Sequence, residues 1–160
     1  LRRRTKDASL GGQVEYALIG EHGDLSNMLP RAHLVLVDSP CTGLGTLRRN
    51  PEAKNRYGEK DVRRFQSLQL EILERFASLV RPRGRLVYVT CSFIEAECDE
   101  VVRLFEERHP EFAPSPSFWA GKRLPAACLD EHKIRLGPSI SGTDAFFIAS
   151  WKLEKQAAKD

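Results

Sequence analysis

The segment Leu34-Val-Leu-Val-Asp-Ser-Pro-Cys-Thr-Gly-Leu-Gly45 decides the fold of this chain. Its apolar run predicts a buried strand that ends at Asp38, because short aliphatic runs bounded by turn residues are typical of parallel sheets. A second segment, Arg85-Leu-Val-Tyr-Val-Thr-Cys-Ser92, has the same design. Residues just past the carboxyl ends of such strands face the ligand crevice of an open α/β sheet. We therefore expect Cys41 and Cys91 to meet at one edge of the sheet.

Outside these two segments the chain alternates between predicted strands and helices, which favours an α/β fold with a mostly parallel sheet. Apolar residues at three- and four-residue steps predict a helix over residues 61–80, with Pro82 and Gly84 ending it, and acidic-then-basic ends favour a second over residues 95–108. Further strands are predicted at residues 14–19, 86–89, 134–136 and 145–151, with long loops at residues 39–57 and 110–132.

Composition narrows the class of protein. The chain has 160 residues, enough for one domain with a real core, and its net charge of +3 does not by itself indicate a nucleic-acid partner. No apolar run reaches the roughly 20 residues that span a bilayer, so no membrane partner is expected. The four cysteines form no CxxC pair and the four histidines no ligand-spaced cluster, so we expect a reducing compartment and no metal.

The two strand ends carry side chains suited to covalent chemistry. Asp38 and Cys41 lie three residues apart on a turn that Pro40 makes rigid, and Arg48-Arg49 follows closely enough to contact phosphates. An inert buried cysteine is the alternative at each strand end. We interpret Cys98 and Cys128 as incidental to the chemistry. No lysine or histidine neighbours Cys41 or Cys91 in sequence, so the fold or the substrate has to activate a thiol. Asp24 and Asp144 are expected at the same edge of the sheet.

Four motifs carry a resemblance to a known family. They are Asp-Ser-Pro-Cys-Thr-Gly-Leu-Gly-Thr-Leu-Arg-Arg-Asn-Pro (38–51), Gln-x-x-Ile-Leu (69–73), Gly-Arg-Leu-Val-Tyr-Val-Thr-Cys-Ser (84–92) and Gly-Thr-Asp-Ala-Phe-Phe (142–147). In this order they resemble the Nop/Sun (Fmu- and RsmB-like) RNA cytosine-C5 methyltransferases, strongly over residues 34–108 and more weakly over 136–151. The resemblance implies a Rossmann-like class I methyltransferase fold with an antiparallel last strand. It also implies S-adenosylmethionine as cofactor and ribosomal or transfer RNA as partner, in the cytoplasm, or in the nucleus or nucleolus of a eukaryote.

The resemblance also implies roles for individual residues. Cys91 would attack C6 of a flipped cytosine, and Cys41 would help remove the C5 proton and release the product. Asp38 would hold the cytosine edge near the cofactor's amino-acid end, and Asp24 would contact the cofactor's adenine. The residues expected to contact the substrate are Pro40, Arg48, Arg49, Thr90, Ser92 and Asp144.

The chain departs from the family pattern mildly at Ser39, where Ala is common, and at Thr42, where Ser is usual, and more strongly in two further places. Glu95-Ala-Glu-Cys98 stands where the family has Pro-Glu-Glu-Asn, which removes an asparagine from the second cysteine loop. The family's Gly-rich cofactor loop would lie upstream of residue 1, so we expect residues 1–153 to be the C-terminal part of a catalytic domain and 154–160 a solvated tail. Such a chain alone would bind S-adenosylmethionine poorly.

Two alternatives stay open. In the DNA cytosine-C5 enzymes the nucleophile is the cysteine of the Pro-Cys motif, which is Cys41 here. A non-catalytic RNA-binding module is the second alternative, favoured by the missing cofactor half.

Overall fold

The two strands that precede the cysteines pair directly. The computed structural model describes Leu25, residues 32–116 and residues 124–154, so the predicted strand at 14–19, Asp24 and residues 155–160 lie outside the described part. Strand β1 (Ala32–Asp38) runs parallel to β2 (Val80–Thr90). Since the two strands end side by side, the segments that follow them leave the sheet at the same edge, as predicted.

Four further strands complete a six-stranded sheet. Five of its strands have the order β1-β2-β6-β5-β4, and the sixth, β3, pairs with β6 outside this order. They are β3 (Phe112–Pro114), β4 (Leu129–Asp130), β5 (Lys133–Leu136) and β6 (Phe146–Leu153). Strand β6 is antiparallel to β2, and β3 and β5 are antiparallel to β6, so β1, β2, β3 and β5 share one direction. The predicted majority direction and the antiparallel last strand are therefore confirmed within the described residues.

Two amphipathic helices cover one face of the sheet. Helix α1 (Glu59–Ala77) and helix α2 (Asp99–Arg108) bury their apolar faces against β1, β2 and β6. A short helix α3 (Pro138–Ser141) precedes β6. The fully buried side chains include Leu73, Leu86, Tyr88, Phe105 and Trp151. On β1 the alternate side chains Leu34 and Leu36 are 54% and 60% exposed, so the helices of the described part leave the other face of this strand open.

The boundary between α1 and β2 differs from the prediction. The helix ends at Ala77 rather than at residue 80, and Val80 already belongs to β2. Pro82 and Gly84 do not stop the helix but lie in an irregularity of β2, where the pairing steps from Ala32↔Val80 to Leu34↔Arg85. Proline lacks the N–H that a regular ladder needs, which explains why the pairing is interrupted there.

The second predicted helix is also interrupted at its start. Residues Glu95–Glu97 form a single 3₁₀ turn, and the α-helix begins only at Asp99 because Cys98 has non-helical dihedrals. This break turns the Glu97 side chain into the protein interior, where it is fully buried. No helix in the described part of the chain is long and apolar enough to cross a membrane.

Candidate active site

The structure brings the two predicted cysteines together. The Sγ atoms of Cys41 and Cys91 lie 3.3 Å apart although the residues are 50 positions apart in the chain. Both thiols are free and half-buried. Each cysteine lies in the loop that follows its strand: the Cys41 loop (residues 39–58) follows β1, and the Cys91 loop (residues 91–94) follows β2. The backbone N–H of Ser39 continues the β1–β2 ladder by donating to the carbonyl of Val89 at 2.9 Å, which aligns these two cysteine loops as they leave the sheet.

The contact between the thiols separates their acidities. The pKa of Cys41 is lowered to about 6, chiefly because the Cys91 thiol donates a hydrogen bond to it. The same hydrogen bond, together with burial, raises the pKa of Cys91. A hydrogen bond to the charged form of an acid favours that form, so the pair loses its first proton at a lowered pKa, and the hydrogen bond from Cys91 favours the charge on Cys41. Among the described groups that lower the pKa of Cys41 there is no lysine and no histidine.

Gly45 ties both cysteine loops to the last strand. Its N–H donates to the carbonyl of Cys91 at 3.0 Å, and its carbonyl accepts from the N–H of Ala145 at 2.9 Å. A Cβ atom at Gly45 would lie 2.3 Å from the carbonyl oxygen of Ala145 and 2.7 Å from that of Cys91. Glycine is therefore required here by close approach of the three backbone segments.

The buried carboxylate of Glu97 accepts hydrogen bonds from both cysteine loops and so connects them. Glu97 Oε1 accepts from the backbone N–H of Thr42 at 2.9 Å, and Oε2 accepts from Thr42 Oγ1 and from Ser92 Oγ, both at 2.6 Å. Gln69 of α1 donates to Glu97 Oε1 at 3.2 Å and to the carbonyl of Pro40 at 2.9 Å. Sequence reasoning named none of these contacts; the available signal was a glutamine on the apolar face of the predicted helix.

The predicted arginine pair contacts the predicted aspartate. Arg49 Nη2 lies 2.5 Å from Asp144 Oδ2, and Arg48 Nε lies 3.7 Å from Asp144 Oδ1. Asp144 is only 9% exposed, whereas the two arginine side chains are about two-thirds exposed, at 66% and 64%. The ion pairs fasten this loop to the start of β6, and the outer surfaces of both guanidinium groups remain open to solvent.

The other predicted site residues lie around the thiols in different states. Asp38 ends β1 with an exposed side chain whose carboxylate has no hydrogen bond or ion pair to a described side chain. Thr90 is fully buried, and its hydroxyl is one of the groups that lower the pKa of Cys41. Ser92 is buried and bound to Glu97. Within the described ranges no group of three or more His, Cys, Asp or Glu side chains has the arrangement of a metal site.

The sequence and the fold of this chain are similar to those of known methyltransferases. The chain is 40% identical over 121 residues to "Probable ribosomal RNA small subunit methyltransferase B" of Bacillus subtilis (strain 168), covering 74% of this chain and 27% of that protein. A solved methyltransferase homolog protein from Pyrococcus horikoshii shares 26% identity with a TM-score of 0.66, over 94% of this chain and 49% of that one. The structure of NSun6 from Pyrococcus horikoshii with SFG has a TM-score of 0.71 at 20% identity, over 97% and 39% of the two chains.

These matches show a Rossmann-like fold of the class I methyltransferase type. The chain spans about a quarter of the length of the curated relatives it matches. The family model for 16S rRNA methyltransferase RsmB/F matches residues 20–152, which is most of the chain. The chain therefore belongs to the RsmB/F family of 16S rRNA methyltransferases.

Proposed function

We propose that this chain carries the catalytic residues of an S-adenosylmethionine-dependent RNA cytosine-C5 methyltransferase, and that residues 1–153 are part of its catalytic domain. The observation that carries the proposal is the 3.3 Å approach of two free thiols at the carboxyl ends of adjacent parallel strands. Ribosomal RNA is the favoured substrate class because the relative from Bacillus subtilis is named as a probable ribosomal RNA small subunit methyltransferase. A reducing compartment such as the cytoplasm would keep both thiols free.

Methylation at C5 of cytosine requires help because this carbon is a poor nucleophile. Addition of a thiolate to C6 makes C5 enamine-like, which divides one difficult step into two easier ones. The base has to leave its stack to reach a buried thiol, and this costs least in single-stranded or looped RNA. The buried hydroxyl of Ser39, which lacks a partner among the described residues, is available for a hydrogen bond to a bound base.

The thiol pair supplies the acid–base steps. We assign Cys91 as the nucleophile: its proton passes to the Cys41 thiolate along the existing hydrogen bond, and the Cys91 sulfur forms the bond to C6. Once Cys41 has lost that proton to solvent, it can take the C5 proton of the methylated ring. The C5–C6 double bond then reforms, the bond from sulfur to C6 breaks, and Cys91 leaves as a thiolate.

The residues present fit one end of the cofactor. Methyltransferases of this family use S-adenosylmethionine, which supplies the methyl group when bound. Asp38 has an exposed carboxylate without a described cationic partner, and such a group can accept hydrogen bonds from the cofactor's ammonium group. Asp24 is proposed to contact the adenine. Because the chain spans only about a quarter of the length of its curated relatives, we expect it to bind the cofactor more weakly by itself than a longer protein of the family would.

The lowered pKa of Cys41 supports the opposite assignment of roles, in which Cys41 attacks C6 as in the DNA enzymes. In that case Cys91 would stay protonated and stabilise the Cys41 thiolate by its hydrogen bond until Cys41 attacks. The order of motifs favours Cys91 as the nucleophile, and the covalent adduct decides between the two assignments.

The proposal is tested by methyl transfer from labelled S-adenosylmethionine to unmodified ribosomal RNA, by the chain alone and by the chain extended upstream. In the extended protein, Cys41→Ala should form the adduct more slowly, because the Cys91 proton then has to pass to solvent instead of to Cys41. The adduct should nevertheless accumulate and survive SDS, because the step that releases Cys91 is lost. Cys91→Ala should give neither product nor adduct. Cys128→Ala, in a separate buried cluster, is the matched control and should behave as the parent.

The outcomes separate the alternatives. An adduct in Cys91→Ala but not in Cys41→Ala would assign the nucleophile to Cys41. RNA binding without methyl transfer or adduct in any extended form would instead support the non-catalytic RNA-binding module.

A further inference from the structure

We propose that Glu97 is a positioning residue for methyl transfer: its buried carboxylate holds the two cysteine loops at the separation that lets the thiols exchange a proton. The inference rests on the proposed function for its catalytic consequence, whereas its effect on the thiols can be measured without RNA or cofactor.

The contacts of Glu97 begin one residue from each cysteine. Thr42 follows Cys41 and Ser92 follows Cys91, and both hydroxyls donate to the same oxygen, Oε2, at 2.6 Å. A displacement of either loop would therefore break a short hydrogen bond to this oxygen. The other oxygen accepts the backbone N–H of Thr42, which fixes the main chain of the Cys41 loop as well as a side chain.

Glu97 is itself held in place from two sides. Its backbone carbonyl accepts a hydrogen bond, at 2.7 Å, from the hydroxyl of Tyr88, a fully buried side chain of β2. Gln69, also fully buried, reaches from α1 to its carboxylate. The carboxylate is therefore anchored to the helix layer and the sheet, so its position is set by the core rather than by the loops.

The hydrogen bonds account for the whole carboxylate. Two donors face Oε1 and two face Oε2, which fills the four acceptor positions of an ionised carboxylate. Hydrogen-bond networks satisfied in this way are rigid. The charge also acts on the thiols: the hydrogen bond from Cys91 is the main cause that lowers the pKa of Cys41, and the Glu97 charge opposes it.

Two substitutions separate position from charge. In Glu97→Gln the amide can donate to the hydroxyls of Thr42 and Ser92, which are able to accept, so the loops stay in place while the charge is lost. The pKa of Cys41 should then fall below that of the parent. Glu97→Ala also removes the charge, but it takes away the common anchor of the loops as well. The Cys91–Cys41 hydrogen bond, which affects the pKa of Cys41 more than the charge does, is then weakened, so this pKa should rise. Opposite directions are expected only if Glu97 sets the thiol spacing.

The experiment uses dibromobimane, which becomes fluorescent once both of its bromines are displaced by neighbouring thiols, and the pH profile of Cys41 alkylation. We expect Glu97→Ala to slow bimane cross-linking about 10-fold or more and Glu97→Gln to stay within about 3-fold of the parent. In an extended, active protein, Glu97→Ala should lower kcat about 10²-fold with little change in KM for RNA, as for an angstrom-scale misplacement. Glu95→Ala, an exposed neighbour in the same turn, is the control.

Circular dichroism establishes that each variant is folded. A folded Glu97→Ala with the parent's cross-linking rate and alkylation profile would overturn the proposal. If Glu97→Ala does not fold, Glu97→Asp decides, because its shorter side chain cannot reach both loops, and an unchanged cross-linking rate would be equally decisive. Absence of methyl transfer in the parent would defeat the proposed function alone, since the thiol measurements do not depend on it.

Discussion

The chain contains two kinds of cysteine, and their environments shift the pKa of the thiol group in opposite directions. Cys41 and Cys91 face each other at the sheet edge, half-buried, and the pKa of Cys41 is lowered to about 6 by the hydrogen bond it accepts. Cys98 lies in the core with 1% of its surface exposed, where burial raises its pKa to about 12. Within the described part of the chain, the one hydrogen-bond partner of its sulfur is the carbonyl of Ser92, at 3.6 Å, and a carbonyl cannot stabilise a thiolate. A donor beside the sulfur, rather than burial alone, makes the difference.

The first prediction puts this comparison to a direct test. At pH 7 most Cys41 is thiolate, whereas about 1 in 10⁵ of Cys98 is. The weaker nucleophilicity of a low-pKa thiolate offsets part of this ratio, so iodoacetamide should label Cys41 about 10²- to 10³-fold faster than Cys98. Peptide-resolved mass spectrometry measures both rates in one sample. Equal rates for the two residues would show that the comparison is wrong.

The second prediction removes the donor. In Cys91→Ala the Cys41 thiolate loses its hydrogen bond, so the midpoint of its alkylation profile should rise from about 6 to the ordinary thiol range of about 8.5. The direction follows because the lost bond stabilised only the charged form. Cys128→Ala should leave the midpoint unchanged. A midpoint that stays near 6 in Cys91→Ala would assign the activation to another group.

The third prediction concerns the backbone that keeps the reactive pair together. Gly45→Ala forces a Cβ into the carbonyls of Ala145 and Cys91, so we expect a loss of about 1 to 3 kcal/mol in the free energy of unfolding. Gly58→Ala is the matched control, because a Cβ there meets nothing within 4 Å. Urea denaturation of both variants measures the difference, and equal midpoints would mean that the loops separate without cost.

The smallest expected effect concerns the ion pairs that fasten the Cys41 loop to β6. Arg49→Ala removes the close partner of the buried Asp144 and should lower the free energy of unfolding by about 1 kcal/mol. Arg48 lies 3.7 Å from the same carboxylate, so Arg48→Ala should lower the free energy of unfolding by only about 0.3 kcal/mol. Urea midpoints compare the two. If both arginines instead serve RNA alone, the two variants will keep the parent's midpoint and differ only in the salt dependence of RNA binding.

Several features of the site were predictable from sequence because they depend on local pattern. The apolar runs before Cys41 and Cys91 located two strands, and the rule that parallel strands end at one edge brought the thiols together. The boundary at residues 78–84 was not predictable in this way. Pro82 and Gly84 interrupt a strand as readily as they end a helix, and pairing with β1 decides which occurs.

Glu97 shows where sequence reasoning stopped. An acidic residue near the start of a predicted helix is expected to face solvent, where it favours the helix dipole. The break at Cys98 instead turns Glu97 inward, and its partners Thr42 and Gln69 lie 55 and 28 positions away in the chain. The pairing of Arg48 and Arg49 with Asp144 was missed for the same reason, although all three residues were named as site candidates.

The sequence by itself determined the α/β class, the convergence of the two cysteine segments and, through its motifs, the family. These follow from apolar periodicity, turn residues and the order of short motifs, all of which are local. The tertiary structure alone decided which thiol is acidic, which carboxylate is buried and which glycine has no room for a side chain. Those properties depend on atoms within a few angstroms that belong to distant parts of the chain, since desolvation and hydrogen bonding act through space.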